Sequence, residues 1–89
     1  MKVVWKYKLE IDDEVIILMP KGTKVLTVQV QDGAPCIWAA VDPNEKKEMR
    51  KFRIAGTGHP IDDTTVGGYI GTVQLHDGRL VLHVFEITT

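Results

Sequence analysis

The sequence predicts an all-β domain: a small antiparallel β-sandwich or partly open barrel of six to seven short strands. Three observations predict it. Apolar and polar residues alternate with a period of two over much of the chain, as a half-buried strand requires. Turn-forming residues recur at short intervals, notably Asp32-Gly33, Asp42-Pro43-Asn44, Gly67-Gly68 and Asp77-Gly78. No stretch carries convincing helical spacing. With 89 residues, one domain spanning 1–89 is expected.

The elements follow in order. Trp5, Tyr7, Leu9 and Ile11 alternate with Lys6, Lys8 and Glu10, which reads as a strand with one wet face. Residues 14–19 form a short apolar run and a second strand. Met19-Pro20-Lys21-Gly22 reads as a turn, because proline presets a corner and glycine accepts a positive φ. Residues 24–31 alternate again, Asp32-Gly33 suits a tight hairpin, and 34–41 return. Asp42-Pro43-Asn44 ends that strand. The polar stretch 45–51 is expected to hold one helical turn or an exposed loop. Residues 51–55, 69–76 and 79–87 complete the set, the last two joined at Asp77-Gly78.

The hairpins set a register. A two-residue loop at Asp77-Gly78 puts Leu75 opposite Leu80, Val73 opposite Leu82 and Gly71 opposite Val84, all on a core face. The other face mixes Ile70, Thr72, Gln74 and His76 with Arg79, Val81, His83 and Phe85. In the first hairpin, Leu26, Val28 and Val30 face Ile37, Ala39 and the Pro35 region. Thr27, Gln29, Cys36 and Trp38 share the second face. Mixed faces of this kind are either covered by protein or line a pocket.

Composition excludes several classes. Eleven basic and twelve acidic side chains leave a net charge of −1, against bulk nucleic-acid or anionic-membrane binding. The single Cys36 excludes an internal disulfide and a multi-cysteine zinc site. It fits a reducing compartment, and its neighbours Ile37 and Trp38 suggest a buried, inert thiol. The N-terminal region has no uninterrupted apolar stretch, so a cytoplasmic protein is expected. A domain this small has a thin core, and homo-oligomerisation would add buried area.

Chemistry concentrates at Arg53-Ile54-Ala55-Gly56-Thr57-Gly58-His59-Pro60. Gly56, Thr57 and Gly58 can present successive N–H groups in an anion-binding nest. Arg53 alternates outward beside it, and Arg50 lies close in sequence with Lys46, Lys47 and Lys51, the arginines each offering a planar fork. Trp38 and Tyr69 are the aromatic surfaces for stacking. The glycines also serve a plain strand-to-loop bend. No GKS or GKT follows, nor a helix, so the segment is neither a P-loop nor a dinucleotide fingerprint. His59, Asp62 and Asp63 lack metal-ligand spacing and a nucleophile. No catalytic residue, metal or cofactor is therefore expected.

Four segments carry a resemblance that covers nearly the whole chain: WKYKLEI, MPKGTKVLTVQVQDGAPCIWAAVDP, FRIAGTGHPI and YIGTVQLHDGRLVLHVFEI. Together they resemble a family of small uncharacterised proteins encoded by bacteriophages and prophages. The resemblance implies the cytoplasm of an infected bacterium and an accessory role such as countering host defences. By analogy with other small phage proteins it also implies an oligomer that sequesters a nucleotide signal. Two functions are therefore expected. One is a non-enzymatic binder of a small anionic ligand, using Arg50, Arg53, Gly56, Thr57, Gly58, His59, Trp38 and Tyr69. The alternative is a protein–protein interaction module, either an inhibitor of a host protein or a minor phage structural component.

Overall fold

A computed structural model describes residues 1–88. Its elements are β1 (Val3–Lys8), β2 (Glu14–Pro20), β3 (Lys24–Gln31), β4 (Ala34–Val41), β5 (Lys47–Gly56), α1 (Asp63–Val66), β6 (Tyr69–Leu75) and β7 (Leu80–Ile87). The strands make two antiparallel sheets, one in the order β1-β4-β3 and one in the order β2-β5-β7-β6. This is the expected all-β class. The sheets face each other across one core and do not close into a barrel.

Alternation decides what the core contains. Ile37, Ala39 and Val41 of β4 point inward, as do Phe52 and Ile54 of β5, and Leu82 and Val84 of β7. Val28, Val73 and Leu75 complete the layer, and Leu9 and Met19 close it. A buried side chain such as Phe52 contributes about 1.5–3 kcal/mol over leaving it exposed.

Both hairpin registers are close to expectation. Val73 pairs with Leu82 and Leu75 with Leu80. Val28 pairs with Ile37 and Gln29 with Cys36, across a two-residue turn with Asp32 at φ 52 and Gly33 at φ 75. The positive φ at both positions is the type I′ turn that matches strand twist.

Several expectations are corrected. The first strand ends at Lys8, and Leu9 turns inward with its N–H bound to the Pro35 carbonyl at 2.9 Å. Stretch 45–51 is no helical turn or loop, because β5 begins at Lys47 and finds β2 as its partner. Pro20 ends β2 rather than forming the corner; the turn closes from Thr23 N–H to the Pro20 carbonyl at 3.1 Å. Leu26 does not face Ala39, because a bulge between Val25 and Thr27 ejects it into solvent. A second bulge, at Ile70, sets Tyr69 opposite Phe85. The Asp77-Gly78 turn is longer than two residues: His76, Asp77 and Gly78 all have positive φ. One residue is added on each side, so the ladder register survives.

One connection shapes the site. β5 and β6 are each antiparallel to β7, so they run parallel to one another. The chain between them crosses the outer face of the four-stranded sheet. There α1 packs on β7, Thr65 is buried, and Phe85 is covered. Gly68 ends this crossover with its carbonyl on the Glu86 N–H at 2.8 Å. A Cβ there would sit 1.9 Å from the Glu86 carbonyl oxygen, so only glycine fits.

Candidate functional site

The glycine loop folds as a turn closed by its own hydrogen bond. His59 N–H donates to the Gly56 carbonyl at 3.0 Å, and Gly58 takes φ 88 at the third position. This geometry needs glycine there. Arg53 does point outward on β5, but its guanidinium organises neighbouring chain rather than the turn amides. Nη1 donates to the Ile54 carbonyl at 2.7 Å and the Asp13 carbonyl at 3.2 Å. Nη2 donates to the Pro60 carbonyl at 3.2 Å. Arg53 thus clamps the approach to β2 and the start of the crossover onto β5.

Arg50 lies on the inward side of β5, where its register opposes Ile17. Its guanidinium forks onto Glu86: Nε bonds Oε2, and Nη2 donates to Oε1 at 3.0 Å. Nη1 donates to the Thr23 carbonyl at 2.9 Å. The bonds to Glu86 raise the Arg50 pKa above its usual value against the opposing effect of burial. The pair ties β5, β7 and the Pro20–Thr23 turn together at the rim of the core. Sequence reasoning missed Glu86, although the alternation Leu82, Val84, Glu86 places a carboxylate on an apolar face and calls for a cation there.

Two expected residues do converge. Thr57 Oγ1 bonds His83 Nε2 at 2.7 Å, His83 Nδ1 bonds Thr72 Oγ1 at 2.9 Å, and Thr72 Oγ1 bonds the Tyr69 hydroxyl at 2.7 Å. This exposed chain joins the turn to β7 and β6. The hydroxyls donate or accept as required, so both imidazole nitrogens are satisfied. The Tyr69 ring also packs on Phe85, with centroids 5.6 Å apart.

Trp38 belongs elsewhere. It lies on β4 opposite Lys6 and Thr27, on the outer face of the three-stranded sheet. The crossover lies on the outer face of the other sheet. Trp38 cannot share a site with Arg53, Thr57 or Tyr69, because the core separates them. His59 turns toward the open end of the sandwich, where it helps line a hollow of about 360 Å³ with Ile11, Asp12, Ile54 and Leu82. Among the described residues no cluster of three or more His, Cys, Asp or Glu is placed to hold a metal ion. Among the described residues no helix is long and apolar enough to cross a membrane.

The most conspicuous surface is one the sequence reading passed over. On the outer face of β2 and β5, Ile16, Leu18 and Met49 are 59%, 56% and 73% exposed. Leu18 pairs directly with Met49, and Ile16 with Lys51. A groove of about 580 Å³ runs beside them, lined by Ile16, Met49, Lys51 and Ile87 and reaching the Arg50–Glu86 pair. Exposed Lys47 and Lys51 border the patch. The crossover stops short of it.

The family model described as a domain of unknown function, DUF7352, matches residues 1–89. No curated protein and no solved structure matches the chain.

Proposed function

The chain belongs to the DUF7352 family, and for it we propose a non-enzymatic role as an interaction module that binds another protein through the bare outer face of β2 and β5. The observation that carries this reading is the contiguous exposure of Ile16, Leu18 and Met49 beside an open groove. Contiguous apolar surface rimmed by polar groups is the usual mark of a protein contact. The rim here is basic, from Lys47 and Lys51, so the partner presents apolar side chains flanked by carboxylates. The resemblance to bacteriophage and prophage proteins supports a partner in the infected cell. The chain then acts as an inhibitor of a host protein or as a minor component of the particle.

The test is capture from a bacterial lysate on immobilised protein, run beside Met49→Glu. Met49 is exposed, so the substitution leaves the core intact. A stoichiometric protein held by the wild type and lost from Met49→Glu supports the reading. Equal retention by both overturns it.

A second reading keeps the small anionic ligand, such as a nucleotide, at the turn. The chain of bonds from Thr57 through His83 and Thr72 to Tyr69 favours it. Against it, Arg50 and Arg53 are both engaged within the fold. Calorimetry against cyclic and linear nucleotides decides: saturable heat abolished by Thr57→Ala would move the function to the turn.

A further inference from the structure

The two sheets have four edges, and three are visibly protected. β1 carries Lys6 and Lys8. β3 carries Lys24 and the bulge that ejects Leu26. β6 lies against β3, where a Cβ on Gly71 would come within 2.8 Å of Val28 Cγ1. β2, with the sequence EVIILMP, has no lysine, no bulge and no strand on its far side. Its Glu14 and Pro20 stand only at its two ends, and the flat apolar run 15–19 between them is a template for strand pairing.

The direction of its backbone groups follows from two bonds. The Asp13 carbonyl accepts from Ile54 N–H at 3.0 Å, and Lys21 N–H donates to the Lys46 carbonyl at 2.7 Å. The β2–β5 register between them is unbroken. Alternate residues of an antiparallel strand turn both groups to the same neighbour. Val15, Ile17 and Met19 therefore bond β5, and Glu14, Ile16 and Leu18 aim their N–H and C=O groups at the open edge. Pro20 falls on the outward set, where its missing N–H leaves the ladder to β5 intact.

We propose that this edge pairs with the β2 edge of a second copy, antiparallel about a two-fold axis at Ile17. Charge complementarity selects the second copy. β2 begins in Asp12, Asp13 and Glu14 and ends beside Lys21, Lys46 and Lys47. Antiparallel pairing lays the acidic start of each strand on the basic end of the other, twice by symmetry. In this register each Ile16 exchanges both backbone bonds with the partner's Leu18, and Glu14 N–H reaches the partner's Pro20 carbonyl. Apolar side chains meet apolar ones on the outer face. A shift of the axis to Ile16 would instead set Glu14 against the partner's Leu18. The two four-stranded sheets become one continuous sheet, and the two bare faces merge into a single symmetric patch. The inference rests on the interaction-module reading, since it doubles the surface that reading uses.

The experiment measures mass by light scattering over a concentration series, with oxidative cross-linking of Ile17→Cys. Ile17 meets itself at a non-hydrogen-bonded pair with Cα atoms about 4.5 Å apart, within disulfide reach. Cross-linked dimer is expected from Ile17→Cys and none from wild type, whose Cys36 is buried. Leu18→Lys should raise the dimer dissociation constant about tenfold or more with an unchanged thermal midpoint of the monomer. Lys47→Glu should also weaken the dimer, and Glu14→Lys added to it should restore the association. A chain that is monomeric at every concentration overturns the inference, whatever lysate capture reports. A dimer indifferent to Leu18→Lys, or one that Ile17→Cys fails to cross-link, overturns it too. A cross-linked dimer that captures nothing from lysate upholds the dimer and sinks only the partner reading.

Discussion

The outer face of the four-stranded sheet is divided into two unlike halves. Over β7, β6 and the Arg53 end of β5 the crossover lies on the strands, and the polar groups there have partners: Arg53 on Asp13 and Pro60, His83 on Thr57 and Thr72. Farther along β2 and β5, beyond the end where Arg53 holds Pro60, none of the described residues lies on the strands, and Ile16, Leu18 and Met49 stand in solvent. The residues that looked chemical are occupied in holding the fold. The residues that looked like ordinary strand are the ones left without a protein contact. Open polar groups in a sequence mark a site only when the fold leaves them unsatisfied.

Four single substitutions and one double replacement probe that division and the core beneath it, the single ones in decreasing order of expected effect on stability. Gly68→Ala forces a methyl group into the Glu86 carbonyl and should cost about 3 kcal/mol or more in urea unfolding. A cost below 1 kcal/mol would mean that the crossover is loosely held and that the two halves differ little. Glu86→Ala leaves the Arg50 guanidinium, 17% exposed, without its carboxylate. It should cost about 2 kcal/mol, less than a fully buried pair because the rim stays wet. Replacing both Arg50 and Glu86 by apolar residues should recover most of that loss, since the pair fixes geometry more than it adds net stability.

Tyr7→Phe probes the core beneath. The Tyr7 hydroxyl is buried with no hydrogen-bond partner among the described residues, and burial raises its pKa above the ordinary 10.0. Because the folded value is raised, its contribution to stability is fully present below pH 10 and lost as pH rises through the folded value. Tyr7→Phe should remove this alkaline loss and stabilise the protein by up to about 1 kcal/mol. A destabilised Tyr7→Phe would reveal a partner for the hydroxyl. Met49→Glu on the bare half should change stability by no more than about 0.5 kcal/mol. Any larger loss would mean that the patch is supporting the fold rather than awaiting a contact.

The fold was largely legible in the sequence, and the reason is local. Period-two alternation and the Asp-Gly turns fix strand faces and hairpin registers without reference to distant residues. Stretch 45–51 was not legible, because Glu48, Met49 and Arg50 become strand only through pairing with β2, far away in the chain. The two bulges were equally hidden: Leu26 and Ile70 look like any other alternating residue until their neighbours are placed. At the site, Arg53 does alternate outward on β5 near the glycine turn, but its guanidinium binds Asp13 and Pro60, and His59 turns to a separate hollow. Arg50 and Trp38 lie away from that turn, because strand alternation turns Arg50 to the inner side of its sheet and the sandwich puts Trp38 on the opposite layer.

The strand order carries a consequence for how the protein reaches this shape. Among the described residues β7 follows every other strand in sequence, yet it sits in the middle of its sheet, between β5 and β6. During synthesis β2 and β5 emerge early, but the sheet they belong to stays incomplete until β7 arrives and inserts. Its pairing with β6 is a quick local hairpin; its pairing with β5 waits on the whole crossover. For that interval β5 has an open edge of its own, and the apolar β2 ribbon is exposed on an unfinished scaffold. Nascent chains are then most prone to stray pairing. The protein's hazard is thus one of timing, and it ends when β7 is seated.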